Sequence, residues 1–167
     1  MGSMEGSCTG GTKRLGTFDK PPIIIFEWDD LTYTWFYRPH PTRHLAESLV
    51  GAGVPVVIVQ RPQHGGEKGD LRELEQVQFG IWCCSPWYPE LEVVHDQLQG
   101  VEQRFPESPW VFRHPNWLPL VRTYDCSRRM VVYDSRSMVA GDGTSAEIGL
   151  RARHFGAIAD LVVTDSV

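Results

Sequence analysis

Polar and aromatic side chains follow several short apolar runs of this chain, and their types suit the binding of a polar ligand. His114 follows Trp110-Val111-Phe112 and precedes a proline, so it is a candidate for a polar contact or for proton transfer. Asp134 closes the run 131–133 and is a candidate carboxylate for the same chemistry. Other side chains could contact a ring-containing ligand: Glu27, Trp28, Asp29, Trp35, Arg61 and Asn116. Carbohydrates present C–H faces to aromatic rings and hydroxyls to carboxylates and amides, so they fit this set.

These residues share one edge of the molecule if the apolar runs are parallel strands. The sequence predicts strands at 23–26, 54–60, 77–82, 110–112, 130–133 and 161–164. It predicts helices at 39–52, 89–105, 116–125 and 144–159. Alternating strands and helices indicate an α/β fold with a doubly wound, mostly parallel sheet and helices on both faces, a three-layer Rossmann-like domain. Ligands of such sheets bind beyond the carboxyl ends of the strands. Polar residues end the strands of any parallel sheet, so each candidate can equally have a structural role.

Length and composition indicate one folded domain after a short leader. The chain has 167 residues, of which 41% are hydrophobic and 22% charged, enough for a packed core. Residues 1–20 are rich in glycine and lack apolar periodicity, so we predict a flexible leader at 1–20 and a domain over 21–167. The net charge of −5 disfavours a nucleic-acid partner.

Several common site types find no support in the sequence. No apolar run approaches the ~20 residues of a membrane span, and we expect a cytoplasmic protein without one. The four cysteines form no C-x-x-C pair, which favours reduced thiols. His40 and His44 have the spacing of metal ligands, but no third ligand matches them, so we expect no metal. Motifs typical of P-loops, dinucleotide sites and α/β-hydrolases are missing, and we expect no cofactor.

Three segments together resemble the N-terminal half of GT-B glycosyltransferases. The stretch 35–49, Trp-Phe-Tyr-Arg-Pro-His-Pro-Thr-Arg-His-Leu-Ala-Glu-Ser-Leu, followed by Gly-Val-Pro-Val-Val at 53–57, resembles the family's first loop, helix and second strand. Val-Val-Tyr-Asp at 131–134 resembles a later strand of the family. Glu147, followed by Ala-Asp-Leu-Val-Val-Thr-Asp-Ser at 159–166, resembles its closing element. The similarity extends over about residues 22–166.

The resemblance implies an acceptor-binding half of a two-lobed glycosyltransferase. Such a half would hold a saccharide or glycoconjugate acceptor, while a C-terminal half absent from this chain would hold most of the nucleotide-sugar donor. It would therefore be inactive alone, and the exposed face between the halves could cause self-association. The resemblance places the acceptor against the ligand-binding set above and Arg38, with His114 and Asp134 as catalytic candidates. This chain departs from many members in having Glu27-Trp28-Asp29-Asp30 where they have paired glycines after the first strand.

Two other functions remain open from the sequence. The domain could be a stand-alone, non-catalytic saccharide-binding or assembly subunit. It could also be a small flavodoxin-like nucleotide-binding enzyme. Stabilisation of the chain by a nucleotide, with no effect of sugars, would favour the enzyme.

Overall fold

The fold is built around one seven-stranded sheet. The computed structural model describes residues 18–28, 39–61, 75–84, 98, 101–137 and 146–164. The strands are β1 (Ile23–Phe26), β2 (Val56–Val59), β3 (Glu75–Gln78), β4 (Ile81–Cys84), β5 (Trp110–Phe112), β6 (Val131–Asp134) and β7 (Leu161–Val163). The helices are α1 (Pro41–Gly51), α2 (Leu118–Thr123) and α3 (Ala146–Ile158), and residues 101–104 are also helical. Short 3-10 turns lie at Pro115–Trp117 and Ser135–Ser137.

The strand order confirms the doubly wound α/β fold. The strands lie in the order β3-β4-β2-β1-β5-β6-β7, and all neighbours pair in parallel except β3 with β4. From β1 the chain first moves outward through β2 to β4, and it then returns to the other side of β1 for β5, β6 and β7. The order therefore reverses between β1 and β5, which is where open parallel sheets bind their ligands.

The single strand predicted over 77–82 is wrong, because this segment forms a hairpin. Strands β3 and β4 pair antiparallel across a turn at Phe79 and Gly80. Gly80 has φ +75°, a left-handed conformation that a side chain disfavours. An added Cβ there would lie 2.9 Å from Val50 Cγ1. The glycine thus permits both the turn and its close approach to α1.

The central strands of the sheet are buried on both faces, which explains their uninterrupted apolar runs. Ile24 and Phe26 of β1 point to a core formed with α2, α3 and the helical residues near 101. Ile25 points to the opposite core, where Ala46 of α1 packs against β2 and β4. Phe155 anchors α3 on the first of these cores by stacking on Tyr133, with ring centroids 4.8 Å apart. Helices therefore cover both faces, as predicted.

A histidine side chain caps the first turn of two helical segments. These are His40 before α1 and His114 before the turn Pro115–Trp117. Helix α1 begins after His40, whose Nδ1 accepts a hydrogen bond from the Thr42 N–H at 3.2 Å, and Pro41 occupies its first position. The predicted helix over 116–125 is present as the turn Pro115–Trp117 followed by α2, with Pro119 in the first turn of α2.

Part of the predicted leader belongs to the core. Phe18 is 3% exposed, and its ring lies 5.4 Å from that of Trp82. Residues 1–17 lie outside the described part, so the rest of the leader stays a prediction, as do the first two residues of the helix predicted over 144–159. No helix among the described residues is long and apolar enough to cross a bilayer. Nor do the same residues contain a cluster of three or more metal-ligating side chains.

Candidate functional site

A buried network of charged side chains lies below the carboxyl ends of β1, β5 and β6. It is formed by Glu27, Thr42, Arg113 and Asp134, which are 3%, 0%, 4% and 2% exposed. Glu27 and Arg113 immediately follow β1 and β5, the two strands at the reversal, and Asp134 ends β6. The parallel register of these strands brings the three residues to one level of the sheet. Two acidic and one basic group are thereby removed from water, which requires that each be paired.

Thr42 connects the charges of this network. Its hydroxyl donates a hydrogen bond to Glu27 Oε2 and accepts one from Arg113 Nη1. Glu27 Oε1 accepts from the backbone N–H of Trp28 at 2.8 Å. The Glu27 carboxylate thus lies at the first turn of α1, where the positive end of the helix favours a negative charge. In nucleotide-binding sheets a phosphate occupies this position after the first strand.

Asp134 links the buried network to the surface. Its Oδ2 lies 3.5 Å from Arg113 Nε, and its two oxygens accept from Arg136 Nε at 2.8 Å and Arg136 Nη2 at 3.0 Å. Burial would raise the pKa of Asp134, but the hydrogen bonds from Arg136 and the charge of Arg113 outweigh it, so the pKa lies below its ordinary value. The carboxylate is therefore ionised at neutral pH and holds the half-exposed Arg136 in a fixed fork.

Trp28 and His114 form a stacked pair above this network, on the two sides of the reversal point. Their ring centroids are 5.5 Å apart with an interplanar angle of 17°. Trp28 also meets the edge of the buried Trp117, at 5.3 Å and 82°. Both Trp28 and His114 are partly exposed. The pair thus offers aromatic surface and an imidazole to a ligand at this edge.

The hydrogen bonds of His114 define which of its nitrogens carries a proton. His114 Nδ1 accepts from the Asn116 N–H at 3.1 Å. In the neutral ring the proton therefore sits on Nε2, which makes Nε2 a donor. In this tautomer Nε2–H is the hydrogen-bond donor of the ring, whereas removing a proton from a hydroxyl would require the cap to be broken.

Helix α3 adds a basic side chain beside Asn116. Arg151 Nη1 donates to Asn116 Oδ1 at 3.2 Å, and Arg151 Nη2 donates to Glu147 Oε1 one helical turn earlier. Asn116 therefore uses its backbone N–H on His114 and its side-chain oxygen on Arg151. These two contacts fix the turn after β5 against α3, and they hold His114 in position.

Five of the residues predicted for the site lie together at the carboxyl ends of the strands. They divide into a buried group and a group at the surface. Glu27 and Asp134 belong to the buried network, while Trp28, His114 and Asn116 lie at the surface of the same edge. A sixth, Arg61, is exposed and follows β2. The remaining three lie outside the described residues: Asp29, Trp35 and Arg38.

Thr42 and Arg151 belong to the site but were not identified from the sequence. Thr42 follows His40 and Pro41 in a first helical turn, where a hydroxyl is ordinary, and nothing in the sequence indicates that it meets Arg113. Arg151 stands four residues after Glu147, a spacing that suggests an ion pair along one helix. Its contact with Asn116 depends on how α3 packs, which only the fold reveals.

Comparison with known proteins bears on the fold of this chain. No protein-family model matches it, and no curated protein sequence does so either. Its structure is similar to that of sucrose-phosphate synthase from Thermosynechococcus elongatus, with a TM-score of 0.58 and 11% sequence identity over 88% of this chain. This chain covers 43% of that protein, less than half its length. The chain thus has a glycosyltransferase-like fold.

Proposed function

We propose that this chain is the acceptor-binding half of a glycosyltransferase. The observation that carries the proposal is the stacked pair of Trp28 and His114 at the reversal point of the sheet, in a fold similar to that of a glycosyltransferase. Aromatic faces pack on the C–H surfaces of sugar rings. The Nε2–H of His114 would donate to a sugar hydroxyl, and a ligand at this edge would also lie close to Asn116.

The position of Glu27 supports the acceptor role over a donor role. A nucleotide-sugar brings two phosphates, and the first turn after β1 is where a doubly wound domain commonly holds them. Here the Glu27 carboxylate lies at that turn and is bound by Thr42 and by the Trp28 N–H. A phosphate at this point would meet a buried negative charge. We therefore assign the donor to a second half of the enzyme.

The chain's residues would position the acceptor, and the transfer would take place between the two halves. The acceptor oxygen would form a bond to the donor's anomeric carbon as the bond to the nucleoside diphosphate breaks, and the proton of the acceptor hydroxyl would pass to the leaving diphosphate. His114 would orient the acceptor oxygen by donating from Nε2. Asp134 would act as a positioning residue, because both of its oxygens already accept from Arg136. Stabilisation of the leaving diphosphate would come from the second half.

Calorimetric titration of the chain with mono- and disaccharides, and separately with nucleotide-sugars, tests the proposal. We expect saccharides to bind more tightly than nucleotide-sugars. Trp28→Leu should weaken saccharide binding by roughly tenfold, which corresponds to the loss of one stacking contact. Phe79→Ser is the matched control, because Phe79 is an exposed aromatic at the opposite edge of the sheet. Binding of nucleotide-sugars with no binding of saccharides would contradict the proposal and favour a nucleotide-binding enzyme.

Turnover separates a transferase from a non-catalytic saccharide-binding subunit. The natural full-length gene product should release a nucleoside diphosphate from at least one nucleotide-sugar when a bound saccharide is present. Saccharide binding without release across a broad donor panel would indicate the non-catalytic function. The half described here should show binding without turnover in either case.

A further inference from the structure

A cleft lies at the amino-terminal ends of the parallel strands, on the side of the sheet opposite to the Trp28–His114 pair. Its volume is about 400 Å³. Val54 and Pro55, which precede β2, and Gly80, which precedes β4, form part of its lining. Since β2 and β4 are parallel, the cleft is at their amino ends, whereas the candidate acceptor site is at the carboxyl ends.

Aromatic side chains give the cleft an apolar interior. Phe18 and Trp82 are nearly buried in its wall, with their rings tilted by 59° to each other. Phe79, at the tip of the β3–β4 hairpin, lines the same cleft and is 85% exposed. An aromatic ring this exposed leaves apolar surface in water, and covering it releases free energy in proportion to the area buried. A flat apolar group lodged beside Phe79 would recover that free energy.

Two glycines leave the cleft open. Gly80 approaches Val50 so closely that an added Cβ would lie 2.9 Å from Val50 Cγ1. Gly53 has φ +79°, and the position of its missing Cβ is 3.8 Å from Lys20 Nζ. Backbone and small side chains therefore form this part of the wall, and the Lys20 ammonium lies directly over it.

Lys20 indicates the charge of a ligand for this cleft. Its side chain is exposed, and its ammonium can reach an acidic group at the cleft mouth. Asp19 and Gln76 also line the cleft. A volume of this size and an aromatic lining with few polar groups are typical of small-molecule sites. We propose that this cleft binds a small molecule that combines a flat apolar ring system with one anionic group.

Titration with 8-anilinonaphthalene-1-sulfonate, a fluorescent molecule of this class, tests the proposal. We expect saturable binding of one molecule per chain in the native state. Phe79→Ser and Lys20→Gln should each weaken it by roughly tenfold, as for the loss of one contact. Met130→Ser and Arg128→Gln are the matched controls, since they change an exposed apolar and an exposed basic residue away from the cleft. Both should bind as the unchanged chain does.

Two further outcomes decide the proposal. The neutral analogue N-phenyl-1-naphthylamine should bind several-fold more weakly, and equal affinity would overturn the assignment of an anionic ligand. Absence of saturable binding, or equal weakening by Phe79→Ser and Met130→Ser, would overturn the site itself. Unfolding curves of each variant establish that the fold is retained, which the exposure of all four side chains leads us to expect.

Discussion

Replacing Thr42 with valine should destabilise the protein more than the loss of one hydroxyl normally does. Valine keeps the shape of threonine, so the change opens no cavity. It removes the hydrogen bond to Glu27 Oε2 and leaves Arg113 Nη1 without this acceptor. All three side chains are buried, so water cannot replace the lost partner.

The magnitude follows from the two charged groups involved. A hydrogen bond to a charged group contributes about 1.5–3 kcal/mol, and two such bonds set an upper limit of about 6 kcal/mol. Arg113 Nε lies 3.9 Å from Glu27 Oε2, so the two charges can move together and recover part of the loss. We expect the free energy of unfolding to fall by about 3 kcal/mol, which lowers Tm by roughly 6–12 °C for a chain of this size.

Urea unfolding of the variant and of a matched control measures this effect. Thr123→Val is the control, because the Thr123 hydroxyl donates to the carbonyls of Pro119 and Leu120 at the exposed end of α2 and contacts no charged group among the described residues. We expect the control to lose no more than about 0.5 kcal/mol. If Thr42→Val also loses less than about 1 kcal/mol, Thr42 does not connect the buried charges, and the described network is refuted.

Three further predictions test other parts of the site and the fold. Because the pKa of Asp134 lies below its ordinary 3.8, the free energy of unfolding should fall as the pH drops from about 4 towards the folded-state pKa. Urea unfolding of Asp134→Asn should show a flatter pH dependence than that of the unchanged chain. His114→Ala removes the acceptor for the Asn116 N–H and should lower the free energy of unfolding by about 1 kcal/mol. His114→Asn keeps a capping oxygen and should lower it by only a few tenths of a kcal/mol, so equal losses would contradict the capping role. Gly80→Ala should destabilise the protein by about 1–2 kcal/mol because of the positive φ of Gly80 and its contact with Val50. Gly149→Ala, in open space within α3, should stabilise it by about 0.5–1 kcal/mol. Thermal unfolding in which Tm shifts in the same direction for both variants would contradict this expectation.

The mostly parallel sheet and its two buried faces could be predicted from the sequence because local patterns encode them. Short apolar runs separated by amphipathic segments lead to a parallel sheet with few topological choices. The hairpin of β3 and β4 escaped prediction because its edge strand, Glu-Gln-Val-Gln at 75–78, is polar and lacks an apolar run. Its turn also depends on Gly80, because a Cβ at this position would clash with Val50, which is distant in the sequence.

The site was only partly predictable, for a related reason. The rule that ligands bind at carboxyl ends of parallel strands placed Glu27, His114 and Asp134 on one edge, and the structure has them there. Whether a residue is buried and paired, or exposed for binding, depends on its partners across the sheet. The hydroxyl of Thr42 and the guanidinium of Arg113 make Glu27 a structural carboxylate. No spacing along the chain reveals such a contact between residues 71 positions apart.

The carboxyl edge therefore combines an interior of paired charges with a partly exposed aromatic surface. The buried charges pair with one another, and a ligand need not compensate them. In the proposed function, recognition falls to Trp28, His114 and the side chains around them. A neutral sugar, which brings rings and hydroxyls and no charge, would suit such an edge.

The most direct measurement is a map of backbone amide shifts by NMR as a saccharide that binds is titrated into the chain. We expect the largest shifts at Trp28, His114 and Asn116, while the amide signals of Phe79 and Gly80 at the opposite edge stay unchanged. Shifts centred on Phe79 and Gly80, with none near the Trp28–His114 pair, would contradict it.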